Sequence, residues 1–111
     1  MATIRNLIID QGSTFGAIIT ISNDAGNPFV LTDYTAEAQM RRSPTSQSPA
    51  AIFTCDIVTP EEGKVAISLT DEETMVLKPG RYVYDLYVED IDGRRYRAIE
   101  GIVTVTPTVT R

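Results

Sequence analysis

The chain has no histidine, no tryptophan and a single cysteine. Each absence removes a class of chemistry. Without His there is no side chain whose ordinary pKa suits a general base near neutrality. Ser–His and Cys–His nucleophiles and His-ligated metals are excluded within one copy of the chain. Cys55 alone makes neither an internal disulfide nor a four-thiolate zinc site. Lysine is also scarce, with only Lys64 and Lys78 beside eight arginines. No stretch approaches the roughly 18 apolar residues of a membrane-spanning helix. The opening MATIRNLIIDQG holds one cation and a short apolar run, Leu7-Ile8-Ile9, so no signal peptide is expected. The expectation is a non-enzymatic structural or binding module, with no cofactor, metal, nucleic-acid or membrane partner.

What is present fits one domain. The 111 residues are enough to bury a core without staples. We read the domain as 1–111, with a core over about 4–106 and a short tail at 107–111. The formal charge of −5 opposes binding to nucleic acid or anionic lipid.

The 12 Ile, 9 Val and 14 Thr are stiff at χ1 and favour a pleated surface. Period-two alternation recurs along the chain. A first strand is expected over Ile4–Ile9. Thr14–Ser22 then turns Phe15, Ala17, Ile19 and Ile21 to one face. Asn23-Asp24-Ala25-Gly26-Asn27-Pro28 reads as a hairpin loop. Tyr34–Arg42 buries Tyr34, Ala36, Ala38 and Met40, and SPTSQSP at 43–49 is a surface loop. Ala50–Val58 turns Ala51, Phe53, Cys55 and Ile57 inward, and Lys64–Leu69 buries Val65, Ile67 and Leu69.

Thr70 with Glu73 spells a capping box, so a short helical turn is expected near 71–77, stopped by Lys78-Pro79-Gly80. Arg81–Asp90 is the strongest strand, with Tyr82, Tyr84, Leu86 and Val88 on one face. Asp90-Ile91-Asp92-Gly93 makes a tight turn into the return strand Arg94–Thr106, where Gly101 is expected to mark a bulge or bend.

Seven or eight short strands with regular turns predict an all-β, immunoglobulin-like antiparallel sandwich, with a small closed barrel as the alternative. Gly80 and Tyr82 fit the tyrosine corner of that fold, where a hydroxyl near the start of a strand bonds back to the preceding loop. Tyr84 stands where a disulfide Cys would follow, so packing alone must join the layers.

The clusters that suggest chemistry have simpler readings. Asp90 and Asp92 begin a calcium-loop spelling, but Arg94, Arg95 and Arg97 follow at once, which favours a solvated turn. Glu61-Glu62 and Glu72-Glu73 are neighbours in a turn and a helix start, not carboxyls facing across a cleft. Asp85 and Glu89 are placed to pair with the arginines of the return strand. Outward Val83 and Tyr87 form a modest apolar patch on a central strand and are candidate interface residues. The last strand, with Val103 and Val105, is a second candidate contact surface.

Three stretches in order carry a resemblance: Asp10-Gln11-Gly12-Ser13-Thr14-Phe15, Leu31–Arg41 (LTDYTAEAQMR) and Leu77–Leu86 (LKPGRYVYDL), followed by Glu100–Val105 (EGIVTV). Together they resemble a small β-sandwich domain of tailed-phage virion proteins, similar to the N-terminal domain of phage baseplate upper proteins. That domain opens longer tail or fibre proteins and also stands alone in T4-like and marine phage structural proteins. The resemblance spans Ile4 to about Pro107 and implies a virion assembly module made in the host cytoplasm. Its partners would be other virion proteins and further copies of itself. It brings no catalytic residues. The second expectation is a carbohydrate- or cell-surface-binding module using loops 23–28, 43–49 and 90–94 at one end of the sandwich.

Overall fold

The β-branched runs form eight strands in a computed structural model that describes residues 3–23 and 25–110. They are β1 (Thr3–Ile4), β2 (Leu7–Asp10), β3 (Phe15–Thr20), β4 (Thr35–Arg41), β5 (Ala51–Thr59), β6 (Lys64–Leu69), β7 (Gly80–Glu89) and β8 (Arg95–Thr106). A 3-10 turn at Pro60–Glu62 and a helix, α1 (Asp71–Met75), interrupt them. Asp24, assigned above to a turn, lies outside the described residues, as do Met1, Ala2 and Arg111.

One sheet, in the order β1-β8-β7-β4-β5-β6-β3 with β2 also on β8, curls over to make two facing layers. β5 makes the curl. Its first residues, Ala51 to Phe53, pair with β4, and the rest, from Thr54, pairs with β6. The inward faces follow the alternation: Ile19, Val65, Ile67 and Leu69 from one layer meet Met40, Leu86, Val88 and Ile99 from the other in one buried cluster. Phe53 joins the layers, tilted against Phe15 and edge-on to Tyr84. Each such buried side chain contributes roughly 1.5–3 kcal/mol, so no disulfide is needed. The all-β fold is as expected.

Two expectations change. The first strand is split, and it pairs parallel to β8 rather than antiparallel. Thr3 opposes Ile99 and Leu7 opposes Val103 with one constant offset, but the regular ladder is interrupted between them at Arg5-Asn6, where the Arg5 amide still donates to the Glu100 carbonyl at 2.9 Å. Gly101 is the reason. A Cβ there would overlap the Arg5 carbonyl oxygen and crowd the Tyr84 ring. Tyr84 Oη donates to that carbonyl at 2.6 Å, and Asn6 Oδ1 accepts the Ile102 amide at 3.0 Å, so the interrupted segment keeps its polar groups satisfied. Gly101 therefore marks a close approach of backbone. The bulge lies three residues earlier, where Leu86 opposes Ile99 but Tyr87 opposes Arg97, leaving Ala98 as the extra residue.

Local signals hold where they are local. The capping box closes, with Thr70 Oγ1 accepting from the Glu73 amide and Glu73 Oε1 accepting from the Thr70 amide. Tyr82 Oη donates to the Lys78 carbonyl at 2.6 Å, which is the expected corner. Gly80 has φ 140°, and a Cβ there would press on the Arg42 guanidinium, which lies over the Tyr82 ring. Tyr82→Phe is expected to lose about 1 kcal/mol in urea unfolding, because the Lys78 carbonyl then lacks its donor.

Thr74 has no counterpart in the sequence reading. It is fully buried on α1; its hydroxyl accepts from the Gly12 amide at 3.0 Å and donates to the Ser13 carbonyl at 2.8 Å. This hydroxyl fastens the helix to the β2–β3 turn. Thr74→Val keeps the shape but strands both groups, and should cost about 1–3 kcal/mol by the same measurement.

Candidate functional site

The outward face of β8, β7 and β4 is the candidate surface. Register sets its rows: Ile102, Val83 and Arg41 lie side by side, and the next row is Glu100, Asp85 and Gln39. Arg97, Tyr87 and Glu37 form a third. An open groove of about 520 Å³ runs across the first two rows, with Val83 and Ile102 in its lining and Ile4 and Pro44 among its rims.

Charge in the groove is already matched. Arg97 lies 3.6 Å from Asp85 and 3.7 Å from Glu100. Arg41 is committed to the β4–β5 loop, donating to the Ser46 carbonyl and to Gln39 Oε1, both at 2.9 Å. Farther along, Arg95 pairs with Glu37 and lies 3.7 Å from Glu89. The expected pairings of Asp85 and Glu89 across the hairpin are therefore present.

Tyr87 is less bare than its position suggests. The Arg95 guanidinium sits 4.6 Å from the ring centroid and that of Arg97 5.8 Å, so cations cover much of the ring. Tyr87 and Val83 are both half-buried. The face is thus an amphipathic surface of paired charges over a small apolar floor.

Val103 and Val105 are corrected outright. Both are buried, and the β8 backbone around them is flanked by β7 on one side and β2 on the other. Alternation turned these valines inward, and the parallel first strand removed the free edge on which their interface role rested. Only the intervening Thr104 and Thr106 look outward.

The three loops do not share one end. Thr35 opposes Glu89, so the 90–94 turn lies at the start of β4. Arg41 opposes Val83, so the 43–49 loop lies at its far end. Each loop also uses its polar groups internally. Asn23 Oδ1 accepts from the Ala25 and Asn27 amides, and Asp90 Oδ1 from those of Asp92 and Arg94. Among the described residues, no group of three or more His, Cys, Asp or Glu side chains is placed to hold a metal ion.

Besides the β1/β2 end, the sheet has a second edge. Among the described residues β3 pairs only with β6. Arg5 Nη1 reaches the Ile18 carbonyl from β2's side of the molecule, at 3.2 Å. Backbone groups alternate along an antiparallel strand. Hence Gly16, Ile18 and Thr20 direct their amides and carbonyls outward, and Ile18 is 58% exposed. No feature of the sequence pattern separates this edge from a central strand, because both are β-branched.

Burial raises the pKa values of Tyr34, Cys55, Tyr84 and Asp85. The Cys55 thiol, turned inward, is pushed up to about 11, and the Tyr84 hydroxyl up to about 12. Asp85 is raised by desolvation, with Arg97 lowering it and Glu100 raising it. A carboxyl with a raised folded pKa favours the fold when protonated, and that contribution is lost as pH rises through the folded value. In an NMR titration, Asp85 should titrate above an unperturbed Asp. Arg97→Ala should move it further up and Glu100→Gln down. At pH 8, Cys55 should alkylate at least about ten-fold more slowly in the native protein than in urea.

No protein-family model matches this chain, and no curated protein matches it in sequence. Solved structures match its shape. The chain is similar to the SrpA adhesin of Streptococcus sanguinis (R347E mutant), with 12% identity and TM-score 0.53. That match covers 97% of this chain and 56% of the adhesin chain, so this protein spans little more than half its length. A lesser likeness is to CopC of Methylosinus trichosporium OB3b, with 13% identity, TM-score 0.43 and coverage of 68% and 66%. Another is to a family 123 glycoside hydrolase of Clostridium perfringens, with 13% identity, TM-score 0.43 and coverage of 97% and 23%. None of the three is a baseplate protein. At such identities the adhesin likeness speaks for the β-sandwich fold alone.

Proposed function

We propose that the chain is a non-enzymatic assembly module of a tailed-phage virion, placed in the tail, baseplate or head surface and acting through protein–protein contacts. The observation that carries an assembly role is the set of apolar side chains standing outside the sheet. Ile4, Ile8 and Ile18 are 71%, 69% and 58% exposed, on or beside the two outermost strands of the curled sheet. β-Branched residues at such positions have no work inside the domain, and exposed apolar surface beside an open strand favours contact with another chain. The virion setting rests on the resemblance of the three ordered sequence stretches.

The assay is direct. Particles of the phage that encodes the chain are purified by density gradient and their proteins quantified by mass spectrometry. The chain is expected in intact particles at a fixed copy number. Its absence from particles, with free protein present in the lysate, would overturn the reading. A strong glycan-array signal lost on shortening loop 90–94 would favour the surface-binding alternative.

A further inference from the structure

We infer that Asp92-Gly93, at the tip of the β7–β8 hairpin, is a site of spontaneous covalent modification, where the main chain rearranges to an isoaspartyl link. This goes beyond the assembly reading and does not rest on it.

The chemistry needs only water. The Gly93 nitrogen attacks Cγ of Asp92. A new N–C bond closes a five-membered imide, and a carboxyl oxygen leaves as water, taking the proton of that nitrogen. Water then adds back at either carbonyl of the ring. Breaking the bond from the nitrogen to Cγ restores aspartate. Breaking the bond to the original main-chain carbonyl carbon leaves Gly93 joined through Cγ, which is isoaspartate. Nothing is oxidised or reduced, and the mass is unchanged.

Ring closure is easiest where the following residue has no side chain. Asp92 is the only Asp or Asn followed by Gly; the other seven aspartates each precede a residue with a Cβ. The hairpin tip also leaves the step open. Ile91, Asp92 and Gly93 are all exposed, and the Asp92 side chain is 68% exposed. A Cβ on Gly93 would meet nothing within 4 Å, so no packed group bars the Asp92 carboxyl from swinging over the next nitrogen. One bond stands in the way. The Gly93 amide donates to the Asp90 carbonyl at 3.0 Å and must leave it before it can attack. The reaction therefore runs through the opened tip, and the closed turn slows it.

The product cannot keep this turn. Asp90 Oδ1 accepts from the amides of both Asp92 and Arg94, at 3.0 and 2.9 Å. Isoaspartate inserts one methylene into the main chain between those two amides, so one oxygen no longer holds both. The next pair of the ladder is Glu89 with Arg95, and Arg95 lies over Tyr87. Conversion thus loosens the adjoining end of the charged face.

Warm incubation of the folded chain at neutral pH, followed by mapping of tryptic peptide 82–94 with electron-transfer fragmentation, tests the assignment. A species of unchanged mass with the isoaspartyl link at 92 is expected. Asp92→Glu, whose ring would need six members, should lose the product while keeping the melting temperature. The chain held unfolded in urea should convert roughly two- to ten-fold faster, which is what one exposed hydrogen bond contributes. The isolated isoaspartyl form should lose hydrogen-exchange protection at amides 93 and 94. No product at 92, or equal product at Asp85 or Asp90 in the same peptide, would overturn the proposal. So would an isoaspartyl form whose turn amides stay fully protected.

Discussion

The parallel seating of the first strand on the last is the constraint on which the rest of the structure depends. It covers the outer side of β8, and so makes Val103 and Val105 core residues instead of edge residues. It requires Gly101, because the Arg5 carbonyl occupies the space a side chain would take. It turns Tyr84, which stands where a disulfide partner is expected in related sandwiches, into a hydroxyl donor for that same carbonyl. Tyr84 also packs edge-on against Phe53, so packing, with no covalent link, joins the layers there.

Legibility in the sequence followed distance along the chain. The corner joins residues four apart, Lys78 and Tyr82, and the capping box residues three apart, Thr70 and Glu73; both are readable because their partners are neighbours. Alternation placed Phe53, Cys55, Val65, Ile67 and Leu86 on inward faces, since period two is a property of each strand alone. The pairing of Leu7 with Val103 was not readable. Nothing in LIID or in VTVT states which strand lies alongside or in which direction. For the same reason Gly101 read as a bulge: a glycine in a strand signals either a bulge or a close approach, and only the partner decides. Thr74 was hidden because its two bonds reach back more than 60 residues to a turn.

The charged face shows how an acidic chain keeps its arginines. Arg95 and Arg97 stand on one strand face with Tyr87 beneath them and Glu37, Asp85, Glu89 and Glu100 around them. Exposed pairs of this kind each contribute under about 1 kcal/mol. Their collective effect is on recognition. A face whose arginines already have carboxylate partners offers little free positive charge, so it is a poor basis for capturing an acidic partner despite its groove. The uncharged β3 edge, by contrast, presents main-chain donors and acceptors that, among the described residues, no side chain satisfies except at Ile18.

The two flanks of the molecule differ in how they are closed. On one flank β5 passes between layers without a break, so the ladder itself closes the fold. On the other, β2 and β3 belong to different layers and are joined by the turn at Gln11–Thr14. That end is pinned by Thr74 and by Gln11, whose amide donates to the Leu77 carbonyl at 2.8 Å and whose Oε1 accepts from the Thr108 amide at 3.1 Å. At the opposite end the described closure is the one exposed bond from Arg5. Such a bond contributes about 0.5–1.5 kcal/mol net, far less than a strand ladder. At this end the Ile18 carbonyl is shielded by one flexible side chain. The feature that lets β1 and β2 seat on β8, the detour of Arg5 over Gly101, is also what carries the guanidinium to the edge it guards. Seating of the terminus and shielding of the edge are thus set by the same residue.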